Sequence, residues 1–271
     1  MSDYGIRLET RGNIAIITID RPQRLNAFNE SMFSELDKVT AELKNNLPRV
    51  VIITGAGEKA FSAGFDVNPD NPMVSNLIEA VNAGDEGPAE IVIRKVRDTI
   101  DSFISLPIPL IAALNGITYG GGAELATRCD MRVMDPNSVI CFSEVRLGLM
   151  PDWGGGPTLV RLIGTARAAD MILTARKISA DEALNLGVIN RISEPGQSLE
   201  ESIRLAEMII KNGPRAVGHA LEVIRQSVNM PLNEALDLEA ERAISLIASG
   251  ECYHGVSAFL TKTKPAFPHI D

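Results

Sequence analysis

A chain of 271 residues, 45% hydrophobic and 23% charged, carries enough apolar material for one large core or two modest ones, which excludes a disordered tail or a fibre. With 35 acidic against 26 basic residues its net charge is −9, so it repels polyanions and no nucleic acid is an expected partner. Cys129, Cys141 and Cys252 have no CxxC spacing, which excludes a disulfide framework or a zinc cluster and suits a reducing, cytoplasmic compartment.

The opening MSDYGIRLETRGN has acids where a basic leader would stand and no apolar stretch behind it, so no secretory leader is expected. No apolar run anywhere approaches the roughly 20 residues of a membrane span. Short runs rich in Val, Ile, Leu and Ala at 12–19, 49–54, 109–114 and 131–134 predict strands buried on both faces, hence a sheet covered by helices. After the first, Met32, Phe33, Leu36, Val39 and Leu43 recur at helical spacing behind an Asn29 cap.

TGAGEKA at 54–60 formally fits a dinucleotide fingerprint, but FSAGFDVNPDNP follows with a glycine and two prolines where that motif needs a helix, so the stretch predicts a tight turn. The segment from Asn68 to Gly87 reads as a variable loop with a short helix. From about Thr165 helix follows helix. Ser179 with Glu182 and Ser198 with Glu201 fit capping boxes, Pro231 opens a further helix, and Gly187, Gly213 and Gly250 stop helices. The chain divides into an α/β core over 1–195 and a helical part over 196–271.

Two stretches place small residues where a strand runs into a helix: FSAGFD at 61–66 and YGGGAELA at 119–126. Either alone is a turn or a close helix contact. Together their free backbone amides can hold one carbonyl oxygen that gains negative charge, and one such donor is typically worth about 2.7–4 kcal/mol in a transition state. Three acids accompany them. Glu124 falls in the first turn after the glycines, Glu144 lies just past a short strand, and Asp152 follows in MPDWGGG. Taken singly they read as a helix-dipole carboxylate, a surface partner of Arg146 and a turn residue.

The whole set resembles the crotonase superfamily, the enoyl-CoA hydratase/isomerase proteins. The resemblance runs through RPQRLNAF (21–28), KAFSAGFD (59–66), LIAALNGITYGGGAELATRCD (110–130), FSEVRLGLMPDWGGGPTLVRLIG (142–164), ISADEALNLGVINRI (178–192) and GVSAFLTKTKPAF (255–267). It implies an α/β spiral of ββα turns with a helical C-terminal trimerisation part, assembled as a homotrimer or homohexamer, and an acyl-CoA thioester as substrate. CoA is then part of the substrate, with no separate cofactor and no metal. The resemblance makes the N–H groups of Phe65 and Gly121 the oxyanion donors and gives CoA binding to main-chain groups of Ala63, Phe65, Asp66, Val67 and Asn68, with Arg24 reaching a phosphate. On this reading Gly121 is a glycine because a thioester must approach the backbone.

Hydration of a trans-2-enoyl-CoA is the leading expectation, since both glutamates stand where the family's hydratases carry them. Glu124 would orient and deprotonate water and Glu144 would supply the α-proton. Asp152 stands where typical hydratases of the family have glycine and its dienoyl-CoA isomerases have aspartate, so double-bond migration by Asp152 with Glu144 is the alternative. A non-catalytic acyl-CoA or RNA-binding relative is a third reading, and the intact acids and negative charge speak against it. His219, His254 and His269 lie outside the acid-bearing blocks, which leaves no histidine triad. The segment 68–97, longer than usual for the family, is expected to set acyl-chain preference. Phe65 replaces the family's usual alanine, and His254, Thr261 and Thr263 replace charged residues of its C-terminal helix.

Overall fold

The computed structural model describes residues 5–268. In chain order the first elements are β1 (Ile6–Arg11), β2 (Ile14–Ile19), α1 (Glu30–Asn45), β3 (Val50–Gly55), β4 (Ala60–Ser62), α2 (Pro72–Ala83) and α3 (Gly87–Ile104). Then come β5 (Leu110–Leu114), β6 (Ile117–Tyr119), α4 (Gly121–Arg128), β7 (Met131–Met134), β8 (Val139–Cys141), α5 (Gly155–Ile163) and α6 (Thr165–Thr174). The last are β9 (Ile178–Ser179), α7 (Ala180–Leu186), β10 (Arg191–Ile192), α8 (Ser198–Ile210), α9 (Pro214–Ser227), α10 (Leu232–Ala248) and α11 (Glu251–Thr261).

Three consecutive strand pairs, β3–β4, β5–β6 and β7–β8, each send their first strand to a large sheet ordered β1-β2-β3-β5-β7-β10 and their second to a small one ordered β4-β6-β8-β9. A helix follows each pair, which makes the chain a spiral of ββα turns. Pairing along β2-β3-β5-β7 is parallel, and only β1 runs antiparallel in the large sheet. The apolar strands explain this. Ile14, Ile16, Val50, Ile52, Ile111 and Ala113 face Leu205 and Ala206 of α8, while Ala15, Ile17, Val51, Ile53, Ala112 and Leu114 face the main core. With both faces covered, alternation of polar and apolar residues is lost. β1, IRLETR, is an exposed edge strand and has no such run to reveal it.

Asn29 caps α1 as expected, accepting from the amide of Met32 at 3.2 Å, and Ser179 caps α7 by accepting from Glu182 at 3.3 Å. Two expectations are corrected. TGAGEKA is indeed a turn between β3 and β4, but the segment after Asn68 is not a loop with a short helix. It folds as α2 and α3, because Pro72 and Pro88 sit in the first turns of helices, where a missing N–H costs nothing. Ser198 lies inside the first turn of α8, with Gln197 at the cap position and no side-chain cap bond, so the second capping box does not form.

The helical part is two-natured. α8 seals the second face of the sheet, whereas α10 and α11 leave Leu232, Ile244, Ile247, Phe259 and Leu260 between 66% and 82% exposed. No described helix is long and apolar enough to cross a membrane.

Candidate active site

The site forms where the two strand-to-helix junctions meet. After β4, Phe28 donates to Gly64 O and Asp66 donates to Phe28 O, the pattern of a parallel bridge centred on Phe65. The Phe65 N–H therefore faces away from its neighbouring strand, and among the described residues no carbonyl accepts from it. Gly64, at φ +90°, lies against the second junction: a Cβ built on it would stand 2.6 Å from the Gly121 nitrogen. That nitrogen opens α4, whose first N–H groups have no intrahelical acceptor. The residue before Phe65 thus packs against the Gly121 amide.

The glycines also have a cause within the protein itself. A Cβ on Gly121 would meet the Trp153 indole at 2.5–2.7 Å, and one on Gly122 would meet Ser62 O at 2.4 Å. Protein packing by itself already forbids a side chain at Gly121. Gly120 turns the chain at φ +52° while its N–H donates to Cys141 O at 2.9 Å.

Glu124 is fully buried and accepts three backbone bonds: from Asp152 at 3.0 Å on one oxygen, and from Trp153 at 2.9 Å and Gly155 at 2.8 Å on the other. Glu144 is its opposite. It is 9% exposed, it opens a short 3-10 turn after β8, and both its carboxylate oxygens are buried without a hydrogen-bond partner among the described residues. Its Oε1 lies near Gly120, 3.7 Å from where a Cβ would be. The ion pair with Arg146 does not form, because Arg146 donates instead to Ala175 O at 2.6 Å.

Burial, and next the charge of Glu144, push Glu124 up to about 8, against the pull of the Gly155 and Trp153 amides. Burial also raises Glu144. Two carboxyls coupled in this way titrate as a pair and share one proton near neutrality. The N–H donors favour the anion of Glu124 and oppose that rise, whereas Glu144 has no such donors among the described residues. Half-buried Asp152 is raised by burial to about 6.

The CoA-loop residues are partly committed to the fold. Ala63 N–H goes to Leu25 O, Gly64 N–H to Ser62 Oγ, Asp66 N–H to Phe28 O and Asn68 N–H to the Asp66 carboxylate. The alternate amides of Phe65 and Val67 have no acceptor among the described residues. Asp66 is buried against Arg21 and Asn68, whose hydrogen bonds hold it below the usual carboxylate range although burial opposes them. Arg24 is exposed and paired with Asp70 at 3.0 Å. His219 and His254 lie on α9 and α11, and His269 falls outside the described residues.

Sequence reasoning missed Trp153, Arg21 and Asn26. Trp153 packs edge-on to Phe28 and Phe33 at 5.6 and 5.3 Å, and Phe33 meets Phe65 at 6.5 Å, so one aromatic cluster backs both junctions. Its signal was its singularity, the only tryptophan of the chain set between Asp152 and a glycine run. Buried Asn26, at φ +56°, ties the β3–β4 connection through bonds to Ala56 O at 3.0 Å and Ala60 O at 2.7 Å. It explains the asparagine of RPQRLNAF.

The profile of the family described as Enoyl-CoA hydratase/isomerase matches residues 9–269. The short-chain-enoyl-CoA hydratase of Clostridium acetobutylicum is 37% identical over 264 residues, covering 95% of each chain. The crotonyl-CoA hydratase of Syntrophomonas wolfei is 32% identical, over 98% of this chain and 99% of its own. Among solved structures, an enoyl-CoA hydratase from Bacillus anthracis superposes with a TM-score of 0.88 at 32% identity, over 97% of this chain and 98% of that one.

Proposed function

Since the chain belongs to the enoyl-CoA hydratase/isomerase family, we propose that it adds water across the double bond of a trans-2-enoyl-CoA. The observation that carries this reading is an unequal carboxyl pair beside two amides that, among the described residues, have no acceptor: Glu124 is anchored by three N–H groups, and Glu144 by none of the described ones. The amides of Phe65 and Gly121 take the thioester oxygen as it becomes an enolate, which makes the β-carbon electrophilic. Glu124, held as the anion, orients water and takes its proton as the oxygen bonds to the β-carbon. Glu144 gives its proton to the α-carbon. The pair ends with the same single proton, moved from one carboxyl to the other, and exchange between them restores the start.

The CoA portion runs past Ala63, Phe65, Asp66, Val67 and Asn68. In that loop the N–H groups of Phe65 and Val67 are the ones not engaged within the protein, and Arg24 swings from Asp70 to a phosphate. The exposed apolar side chains of α10 and α11 support assembly as a trimer, or a pair of trimers, with these helices as the contact. Sedimentation of the purified chain at monomer mass would count against that assembly.

Purified protein mixed with crotonyl-CoA tests the chemistry: absorbance of the conjugated enoyl thioester falls as water adds. Isomerisation remains the second reading because Asp152 is a third raised acid whose own amide touches Glu124. If Asp152→Asn stops turnover of a β,γ-enoyl-CoA while Glu124→Gln does not, double-bond migration is the activity.

A further inference from the structure

The turn that carries Asp152 is held from both sides by one helix. Glu124 and Arg128 are four positions apart on α4 and so share a face. Glu124 takes the amides of Asp152, Trp153 and Gly155, while Arg128 Nη1 donates to the carbonyl of Trp153 at 2.8 Å. The same guanidinium pairs with Asp101 of α3 at 2.6 Å. Arg97, a turn earlier on α3, donates to both oxygens of Asp101 at 2.9 and 3.0 Å. Gly154, at φ +90°, lies under both arginines: a Cβ there would stand 3.2 Å from the guanidinium of each.

These contacts are not an ordinary surface ion pair, for which about 0–1 kcal/mol is typical. The Arg128 side chain is only 13% exposed, and its Nη1 serves a carboxylate on α3 and a carbonyl in the turn at once. Peptide planarity transmits the hold. The Trp153 carbonyl and the Gly154 nitrogen are one rigid unit, flanked by the amides that Glu124 grips. With N–H groups fixed on one side and a carbonyl on the other, the turn has no free rotation.

We propose that Arg128, held by Asp101, is a positioning residue: it fixes the Asp152–Gly155 turn, thereby aims Glu124 and Asp152, and links α3 mechanically to the carboxylate cluster. Its kinetic consequence rests on the hydratase reading, and its structural consequence does not. For Arg128→Ala the expected result with crotonyl-CoA is a kcat lower by roughly 10- to 100-fold with KM unchanged, the scale of a small misplacement of reacting groups. Arg128→Lys keeps the charge on a shorter side chain that does not reach as far as Nη1, so it recovers part of the loss, as does added guanidinium ion with Arg128→Ala. Asp101→Asn lowers kcat alone and adds little on top of Arg128→Ala, because the two act as one unit.

A second measurement needs no turnover. Trp153 is the only tryptophan and is 2% exposed, so its quenching by acrylamide reports the turn directly. Quenching is expected to rise in Arg128→Ala and to return towards wild type in Arg128→Lys. Unchanged kcat and quenching in Arg128→Ala overturn the proposal, and so do additive losses in the double variant. Where Arg128→Ala fails to fold, Arg128→Lys and Asp101→Asn carry both measurements, and wild-type behaviour in both variants overturns it. A wild type inert towards crotonyl-CoA counts against the hydratase reading alone, and the quenching then decides the role of Arg128.

Discussion

Two runs of three glycines, 120–122 and 154–156, each run into a helix, and they lie against one another at the site. In the first run every glycine is forced: Gly120 by its φ of +52°, Gly121 by the Trp153 indole at 2.5 Å, Gly122 by Ser62 O at 2.4 Å. In the second, Gly154 is forced by its φ of +90° and Gly155 by the Glu124 Cα at 2.4 Å, but Gly156 would bring a Cβ no closer than 3.5 Å to Pro151. A glycine run is thus not in itself a ligand cradle. It marks a place where two stretches of backbone cross, and the unpaired amides follow from the crossing.

The acids sharpen the comparison most, because Glu124 joins the two runs and Glu144 touches only the first. Glu144→Gln is expected to lower kcat by about 10²–10⁴ with KM nearly unchanged, the range of one proton-transfer role. Its melting temperature should not fall, since no donor loses an acceptor and one of two repelling carboxyls is removed. Glu124→Gln should lose activity and stability together. Its amide nitrogen must face at least one of the three backbone donors, which leaves that N–H buried and unsatisfied at about 1–3 kcal/mol. Turnover of crotonyl-CoA beside thermal unfolding of both variants separates the roles; equal melting temperatures would show that Glu124 does not anchor the second run.

Gly155→Ala breaks the crossing itself. The added methyl meets main-chain and stem atoms of Glu124 at 2.4–2.6 Å, and a backbone atom cannot step aside as a long side chain does. The expected cost is about 1–3 kcal/mol of stability, with roughly 10²-fold lower kcat from displaced carboxylates. Unfolding in denaturant and steady-state kinetics measure both, and a variant of wild-type stability contradicts the packing account of this glycine.

The fold was legible where burial writes itself into composition: β2, β3 and β5 are dominated by apolar residues on both faces, and Asn29 announces α1. β1 was not, because an edge strand needs no apolar run, and β9 and β10 are two residues each, too short to carry a pattern. Prolines misled at 72 and 88, where they start helices. At the site, Glu124, Glu144 and the two junctions could be named, but the contacts that distinguish them could not. That Asp152, Trp153 and Gly155 turn their amides towards Glu124 depends on backbone some thirty residues away, and no local pattern encodes it.

The carboxyl pair should also be visible in stability against pH. Burial and the neighbouring carboxyl raise Glu124 from 4.5 to about 8 in the folded chain, so between those values the folded pair keeps a proton that the unfolded state has released. Each rise in pH through that window therefore costs stability. Asp152, raised from 3.8 to about 6, adds to the fall over the lower part of it. Asp66 and Asp101, both lowered, act the other way, and only as pH drops below about the ordinary 3.8. Melting temperature is expected to decline from pH 5 to 8 in the wild type and to decline less in Glu144→Gln, which removes one member of the pair. An equal slope in the two proteins would mean that the pair is not coupled.

The smallest effect is expected at the one glycine that the comparison leaves without a task. Gly156 is the second residue of α5, has no positive φ, and an added Cβ would make ordinary contacts with Pro151 at 3.5 Å and Ile172 at 3.9 Å. Alanine there narrows the unfolded ensemble and suits the helix, so Gly156→Ala should stabilise the chain by about 0.4–1 kcal/mol. Activity should not change, because neither Glu124 nor the free amides touch this residue. A loss of kcat in Gly156→Ala, with the fold intact, would mean that the second run needs its third glycine for substrate after all, and that packing alone does not explain where glycine stands in this site.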